Sequence, residues 1–148
     1  MFAIEELVAQ LRKEHDCQRP DAGYIRISTH KVDLASVEQT IQLCEDVRKA
    51  HGRSVDILIS NAGYGKRIRD IWDIPLEEFE HTINVNLRAS FLLVKGVVEG
   101  MKTKKWGRII FVSSIAAYGA GINGARKSYN RSYWSFARVS VPLSFNLC

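Results

Sequence analysis

Val55-Asp56-Ile57-Leu58-Ile59-Ser60-Asn61-Ala62-Gly63 is the stretch on which the fold turns. A compact apolar run halted by Asn-Ala-Gly reads as a strand buried on both faces of a parallel sheet. A second run of the same kind, Arg108-Ile109-Ile110-Phe111-Val112-Ser113-Ser114, follows some fifty residues later. Two such strands in one sheet need a crossover between them, and a helix normally supplies it.

The intervening sequence fits that crossover. Pro75 sits where a first helical turn tolerates it, and Glu77 and Glu78 suit the positive helix N-terminus. Phe79, Ile83, Leu87, Val94 and Val98 mark an apolar stripe, so a long helix is predicted over Pro75–Met101, closed by Gly107. Upstream, Ser36 and Gln39 have the spacing of a capping box. Val37, Ile41, Cys44 and Val47 then recur every three or four residues, predicting an amphipathic helix that ends near Gly52.

Further upstream still, Tyr24–Thr29 alternates like a short strand and leads into the loop Lys31-Val32-Asp33-Leu34. Ile4, Leu7, Val8 and Leu11 predict a helix over residues 4–14 that starts without a capping residue, as if the sequence opens inside an element. Strand, helix, strand, helix, strand predicts an α/β class, a doubly wound parallel sheet with helices on both faces. There is no repeat and no interdomain linker.

Composition excludes several classes of protein. The 148 residues are 46% hydrophobic and 25% charged, which suits one globular domain rather than a disordered chain. No window is apolar for the eighteen or so residues of a membrane span, so no membrane partner is expected. Cys17, Cys44 and Cys148 are odd in number and widely spaced, unlike a disulfide scaffold or a zinc site. His15, His30, His51 and His81 show no metal-ligand pairing, and no metal is expected. A cytoplasmic location follows from reduced thiols, with the mitochondrion as alternative.

Three blocks in order narrow the reading: Asn61-Ala62-Gly63 after a buried strand, Asn84-Val85-Asn86-Leu87 within the next helix, and Gly107 to Ser114 on the next strand. Together, over residues 30–124, they resemble the short-chain dehydrogenase/reductase family, and within it the 3-oxoacyl-[acyl-carrier-protein] reductase type. The resemblance implies a Rossmann-like sheet, here partial. It also implies NADP or NAD as cofactor and reversible hydride transfer between the nicotinamide and a small carbonyl or secondary alcohol.

It further implies roles. Asp33 and Leu34 match the pair lying against the adenine, where a carboxylate accepts from the exocyclic amine; as a helix-capping acid, Asp33 has a purely structural alternative. Asn61, Ala62 and Gly63 stand at the carboxyl end of a strand, where ligands bind in open α/β sheets, and Gly63 allows close backbone approach to the ribose. A simple structural turn is the alternative there. Asn86 matches the asparagine that holds a water behind the catalytic lysine, with Asn84 structural. Ser114 matches the catalytic serine that hydrogen-bonds the substrate oxygen.

Two of the family's parts are not in this sequence. A Tyr-x-x-x-Lys pair usually begins about thirteen residues beyond the serine, where the lysine lowers the tyrosine's pKa for proton transfer. Here those positions hold Lys127 and Arg131, and neither Tyr118 nor Tyr129 has a lysine four residues on. A glycine-rich turn that holds the pyrophosphate belongs before Asp33, and the early glycine there is the single Gly23. The chain is therefore expected to bind dinucleotide weakly and not to turn over.

The domain expectation is an incomplete NAD(P)-binding domain over residues 1–124 and an unrelated basic, aromatic tail over 125–148, whose abrupt onset suggests read-through. Of the net charge of +5, the tail's Arg126, Lys127, Arg131 and Arg138 supply four, leaving +1 for the remainder. Tyr129, Tyr133, Trp134 and Phe136 interleave with those cations, as in single-stranded nucleic-acid binders. Weak nucleic-acid binding, or service as a non-catalytic partner fragment, is the alternative function. A native-like homo-oligomer is not expected without the helix that would carry tyrosine and lysine.

Overall fold

The structure is a computed structural model that describes residues 2–18, 25–66, 68 and 70–113. Two compact units divide between Lys31 and Val32. Ser114, the Tyr118, Lys127, Tyr129 and Arg131 positions, and the whole 125–148 tail lie outside the described residues.

In the first unit, α1 spans Phe2–Gln18, longer at both ends than its apolar spacing predicts. Ile4, Leu7 and Leu11 share a face and are exposed. The expected strand over Tyr24–Thr29 is not formed: residues 25–30 carry no regular structure. A strand is stabilised by its cross-strand partners rather than by its own propensity, and among the described residues nothing forms a ladder with this segment.

The second unit opens with a tight turn and α2, Val37–His51. Ser36 caps the helix, its Oγ accepting from the Gln39 N–H at 3.2 Å. The reciprocal half of the capping box is displaced. Gln39 Oε1 accepts from the Asp33 N–H at 2.9 Å, because the Ser36 N–H is already donated to the Asp33 carbonyl at 3.0 Å. At the far end Gly52 adopts φ 66°, the left-handed geometry that suits glycine, and donates to Arg48 O at 2.8 Å.

β1 (Ile57–Ser60) and β2 (Arg108–Phe111) pair in parallel, with Leu58 opposite Ile109 and Ser60 opposite Phe111. Leu58, Ile109 and Phe111 share one face, and Ile109 joins Val97 and Met101 in a core against which Leu58, Phe111, Val94, Val55 and Cys44 pack. The reading of both strands as buried on two faces needs correction. Ile57 is 51% exposed, Ile59 60%, Ile110 45% and Val112 48%, since the helices of this unit cover one face of the pair. The α/β class and the parallel pairing are as expected.

The predicted long helix is there, but it is not uniform. It runs as α3 (Leu76–Ile83), a π-helical turn (Asn84–Arg88) and α4 (Ala89–Thr103). In the widened turn the Ala89 N–H reaches back to Asn84 O. Thr82, Ala89, Val97 and Met101 are consequently the buried positions, rather than the evenly spaced stripe read from the sequence. The helix ends at Thr103, before Gly107. Lys105 takes a positive φ of 52°, and the Trp106 N–H closes the end on Met101 O at 3.1 Å. Gly107 matters for another reason: a Cβ there would lie 2.5 Å from Met101 Cγ.

α4 meets α2 and the loop that follows it through small residues. A Cβ on Gly96 would lie 2.5 Å from Cys44 Sγ, and one on Gly100 would lie 2.6 Å from Ser54 Cβ. The start of β1 is tied to the end of α4 by charge. Lys104 Nζ donates to Asp56 Oδ1 at 2.7 Å and to Ser54 O at 3.1 Å, and Arg53 also pairs with Asp56.

Candidate functional site

Asn61, Ala62 and Gly63 leave β1 at its carboxyl end as an exposed loop. The Val112 N–H donates to Ser60 O at 3.0 Å, so the loop starts where the ladder stops. Among the described residues no side chain crowds Gly63. The nearest atom to a Cβ built there is Asn86 Oδ1 at 3.7 Å, an ordinary contact. Packing among the described residues therefore does not require glycine at this position.

Asn86 holds the loop in place. Its Oδ1 accepts from the Tyr64 N–H at 2.7 Å and its Nδ2 donates to Tyr64 O at 2.8 Å, a two-point clamp on one peptide segment. The π turn matters here because it carries Asn86 at its middle. Ser90, one turn on, donates to Asn86 O at 3.3 Å, and its Oγ lies 2.9 Å from Ser60 Oγ at the end of β1. Tyr64 also meets His81 of α3 edge to face, with ring centroids 4.4 Å apart at 89°.

The second loop precedes α2. Asp33 Oδ1 accepts from the Ala35 N–H at 2.9 Å, a local turn bond of the kind that makes Asp common before helices. This carboxylate closes the turn before the helix rather than capping it, the cap being Ser36, and the side chain remains exposed. Arg88, from the same π turn as Asn86, donates through Nη2 to Ala35 O at 2.5 Å. One helical turn therefore touches both loops: Asn86 on Tyr64 and Arg88 on Ala35.

Local electrostatics fit a helix start. Glu38 is held below its ordinary carboxylate value by a backbone N–H and the Ser36 hydroxyl, with a smaller contribution from the Arg88 charge. Burial pushes the Cys44 thiol up, away from thiolate reactivity. Among the described residues no group of His, Cys, Asp and Glu could hold a metal ion, and no helix is long and apolar enough to cross a membrane.

The structure thus brings Asp33, Leu34, Asn61, Ala62, Gly63 and Asn86 to two loops bound to one turn of helix. Ser114 lies outside the described residues. Sequence reading passed over Tyr64, Arg88 and Ser90, whose contacts depend on the phase of the π turn. The one available signal was a cation, Arg88, between the apolar Leu87 and Ala89.

A family model described as short chain dehydrogenase matches residues 3–129. Dehydrogenase/reductase SDR family member 4 of Bos taurus is 40% identical over 85 residues, which are 57% of this chain and 30% of that protein. The 3-oxoacyl-[acyl-carrier-protein] reductase of Buchnera aphidicola is 38% identical over 86 residues, 58% of this chain and 33% of that protein. The chain spans about a third of the length of the curated relatives it matches. Among solved structures, a metagenomic short-chain oxidoreductase in complex with NADP aligns with a TM-score of 0.65 at 25% identity. That alignment covers 89% of this chain and 54% of that one. The matched model takes in most of the sequence, both strands and both loops: this chain belongs to the short-chain dehydrogenase family.

Proposed function

We propose that residues 32–113 form the adenosine-side half of an NAD(P) site and the support of a hydride-transfer centre. The observation that carries this reading is the π turn, which binds the Asp33–Ala35 loop through Arg88 and the Asn61–Tyr64 loop through Asn86. The residues present fit such a cofactor. Asp33 offers an exposed carboxylate to an exocyclic amine, and the space beside Gly63 is open to a ribose. A nicotinamide, when bound, would supply or accept the hydride. Family membership implies NADP or NAD, and the NADP complex of a relative of the same fold supports it.

Each residue has a part in this reading. Asp33 and Leu34 border the adenine, Asn61 to Gly63 border the ribose, and Ser114 orients the oxygen of a small ketone or secondary alcohol. Asn86 has its side chain engaged with Tyr64, so its support of a proton relay is indirect, through the loop it clamps. The chain as written holds Lys127 and Arg131 where the proton-transferring tyrosine and its lysine belong, so we assign it binding without turnover. Residues 1–124 then make up the nucleotide-binding part and 125–148 a separate tail.

The test is a titration of the chain with AMP and with NADPH, followed through the backbone amides, and an assay of NADPH oxidation with a 3-oxoacyl thioester. Shifts confined to Asp33–Ala35 and Asn61–Tyr64, with no oxidation, are expected. Absence of those shifts would overturn the binding reading, and steady NADPH consumption would overturn the inactive one.

A further inference from the structure

We infer that Arg88 is a positioning residue of the adenine-bordering loop, setting that loop against the Asn86 clamp; the inference rests on the cofactor reading above. Three side chains of one stretch of helix reach two separate segments: Asn86 to Tyr64 and Ser90 to Ser60 at the end of β1, and Arg88 to Ala35 before α2. Asn86 and Ser90 act on the end of β1 alone. Arg88 is the member of this stretch that ties the second loop, 53 residues away in sequence, to the same turn.

The contact is made at a telling atom. Ala35 O belongs to the turn whose other bonds are internal: Asp33 Oδ1 with the Ala35 N–H, Asp33 O with the Ser36 N–H, and the Asp33 N–H with Gln39 Oε1. Those bonds shape the turn and cap α2, and α2 packs on α4 through Cys44 and Gly96. The guanidinium adds the hydrogen bond that joins the turn itself to the helical stretch carrying Asn86. Its Nε is buried and has no hydrogen-bond partner among the described residues, so the guanidinium is held within the protein rather than in solvent. Its charge also lies close enough to Glu38, in the first turn of α2, to stabilise that carboxylate.

A planar guanidinium and a point ammonium differ in reach and geometry, which makes the conservative variant informative. Arg88→Met removes the donor and the charge while keeping much of the stem, and Arg88→Lys restores one donor and the charge. Amide hydrogen exchange of the whole chain reads the loop directly. In Arg88→Met the amides of Asp33–Ser36 are expected to exchange about tenfold faster, with partial recovery in Arg88→Lys and no change at the Arg108 and Val112 ladder amides.

Unchanged exchange at Asp33–Ser36 would overturn the inference. So would equal acceleration at the ladder amides, which would make Arg88 a residue of general stability. An AMP titration of the same variants separates this inference from the reading beneath it. Weaker AMP binding in Arg88→Met than in Arg88→Lys is expected. A wild-type chain whose Asp33–Ala35 amides ignore AMP would overturn the adenine assignment, and with it the purpose of the tether, whatever the exchange result.

Discussion

Asn86 shows how much one side chain can settle. A primary amide carries one acceptor and a pair of donors, and here both kinds are matched to the N–H and C=O of Tyr64. Replacing it with alanine leaves both backbone groups without that partner. Asn86→Ala is expected to cost about 1–3 kcal/mol in urea denaturation, and Asn86→Asp at least as much at neutral pH, because a carboxylate oxygen would replace the donor that faces Tyr64 O. Equal stability of Asn86→Ala and wild type would refute the clamp. Cys44 makes a residue-scale case of the opposite kind, a group turned away from chemistry. It donates to Thr40 O at 3.9 Å, and its pKa is raised by burial, so it should react with iodoacetamide more slowly at pH 8 than a free thiol does.

At the scale of elements, α4 approaches α2 closely because Gly96 faces Cys44, and approaches the loop after α2 because Gly100 faces Ser54. Gly96→Ala would place a methyl 2.5 Å from Sγ and is expected to lose about 1–3 kcal/mol through overpacking. Cys44→Ala in the same chain should return part of that loss, since its Cβ would still lie 2.9 Å from the new methyl, and purely additive effects would refute the contact. The join between α4 and β1 is ionic. Asp56 is held below its ordinary value of 3.8, first by Lys104 and then by Arg53. A depressed carboxylate contributes stability that is present above the unfolded value and is lost as pH falls through the folded one. Lys104→Met should therefore flatten the stability profile below about pH 4 and leave its shape near neutrality unchanged, as chemical denaturation at several pH values would show.

Across the second unit as a whole, the dominant feature is asymmetry. One face of the β1–β2 pair carries the core of Val97, Met101 and Ile109, while Ile57, Ile59, Ile110 and Val112 are open on the other. An exposed apolar sheet face is sticky and binds hydrophobic dyes. The Ile59→Thr, Ile110→Thr double variant keeps β-branched side chains and should lower 8-anilinonaphthalene-1-sulfonate fluorescence, with a stability change under about 1 kcal/mol. Undiminished fluorescence, or a loss of several kcal/mol, would show that this face is covered in solution.

Sequence by itself determined the class of the fold and the places where loops had to stand. Apolar runs stopped by Asn61-Ala62-Gly63, the cap at Ser36 and the stop at Gly52 are local signals, because capping, turn geometry and short-range burial act over a few residues. The family resemblance also marked Asp33, Asn61 and Asn86 as candidates. Tertiary structure alone decided the rest. Residues 25–30 form no strand because a ladder needs a partner, and the two-faced burial of β1 fails because burial depends on what packs above and below. Arg88 and Ser90 entered the site because the π turn re-aims the helix after Asn84, an effect that no fixed period of 3.6 residues can foretell. Local chemistry is written along the chain, whereas the meeting of two loops on one turn of helix is a property of how distant segments pack.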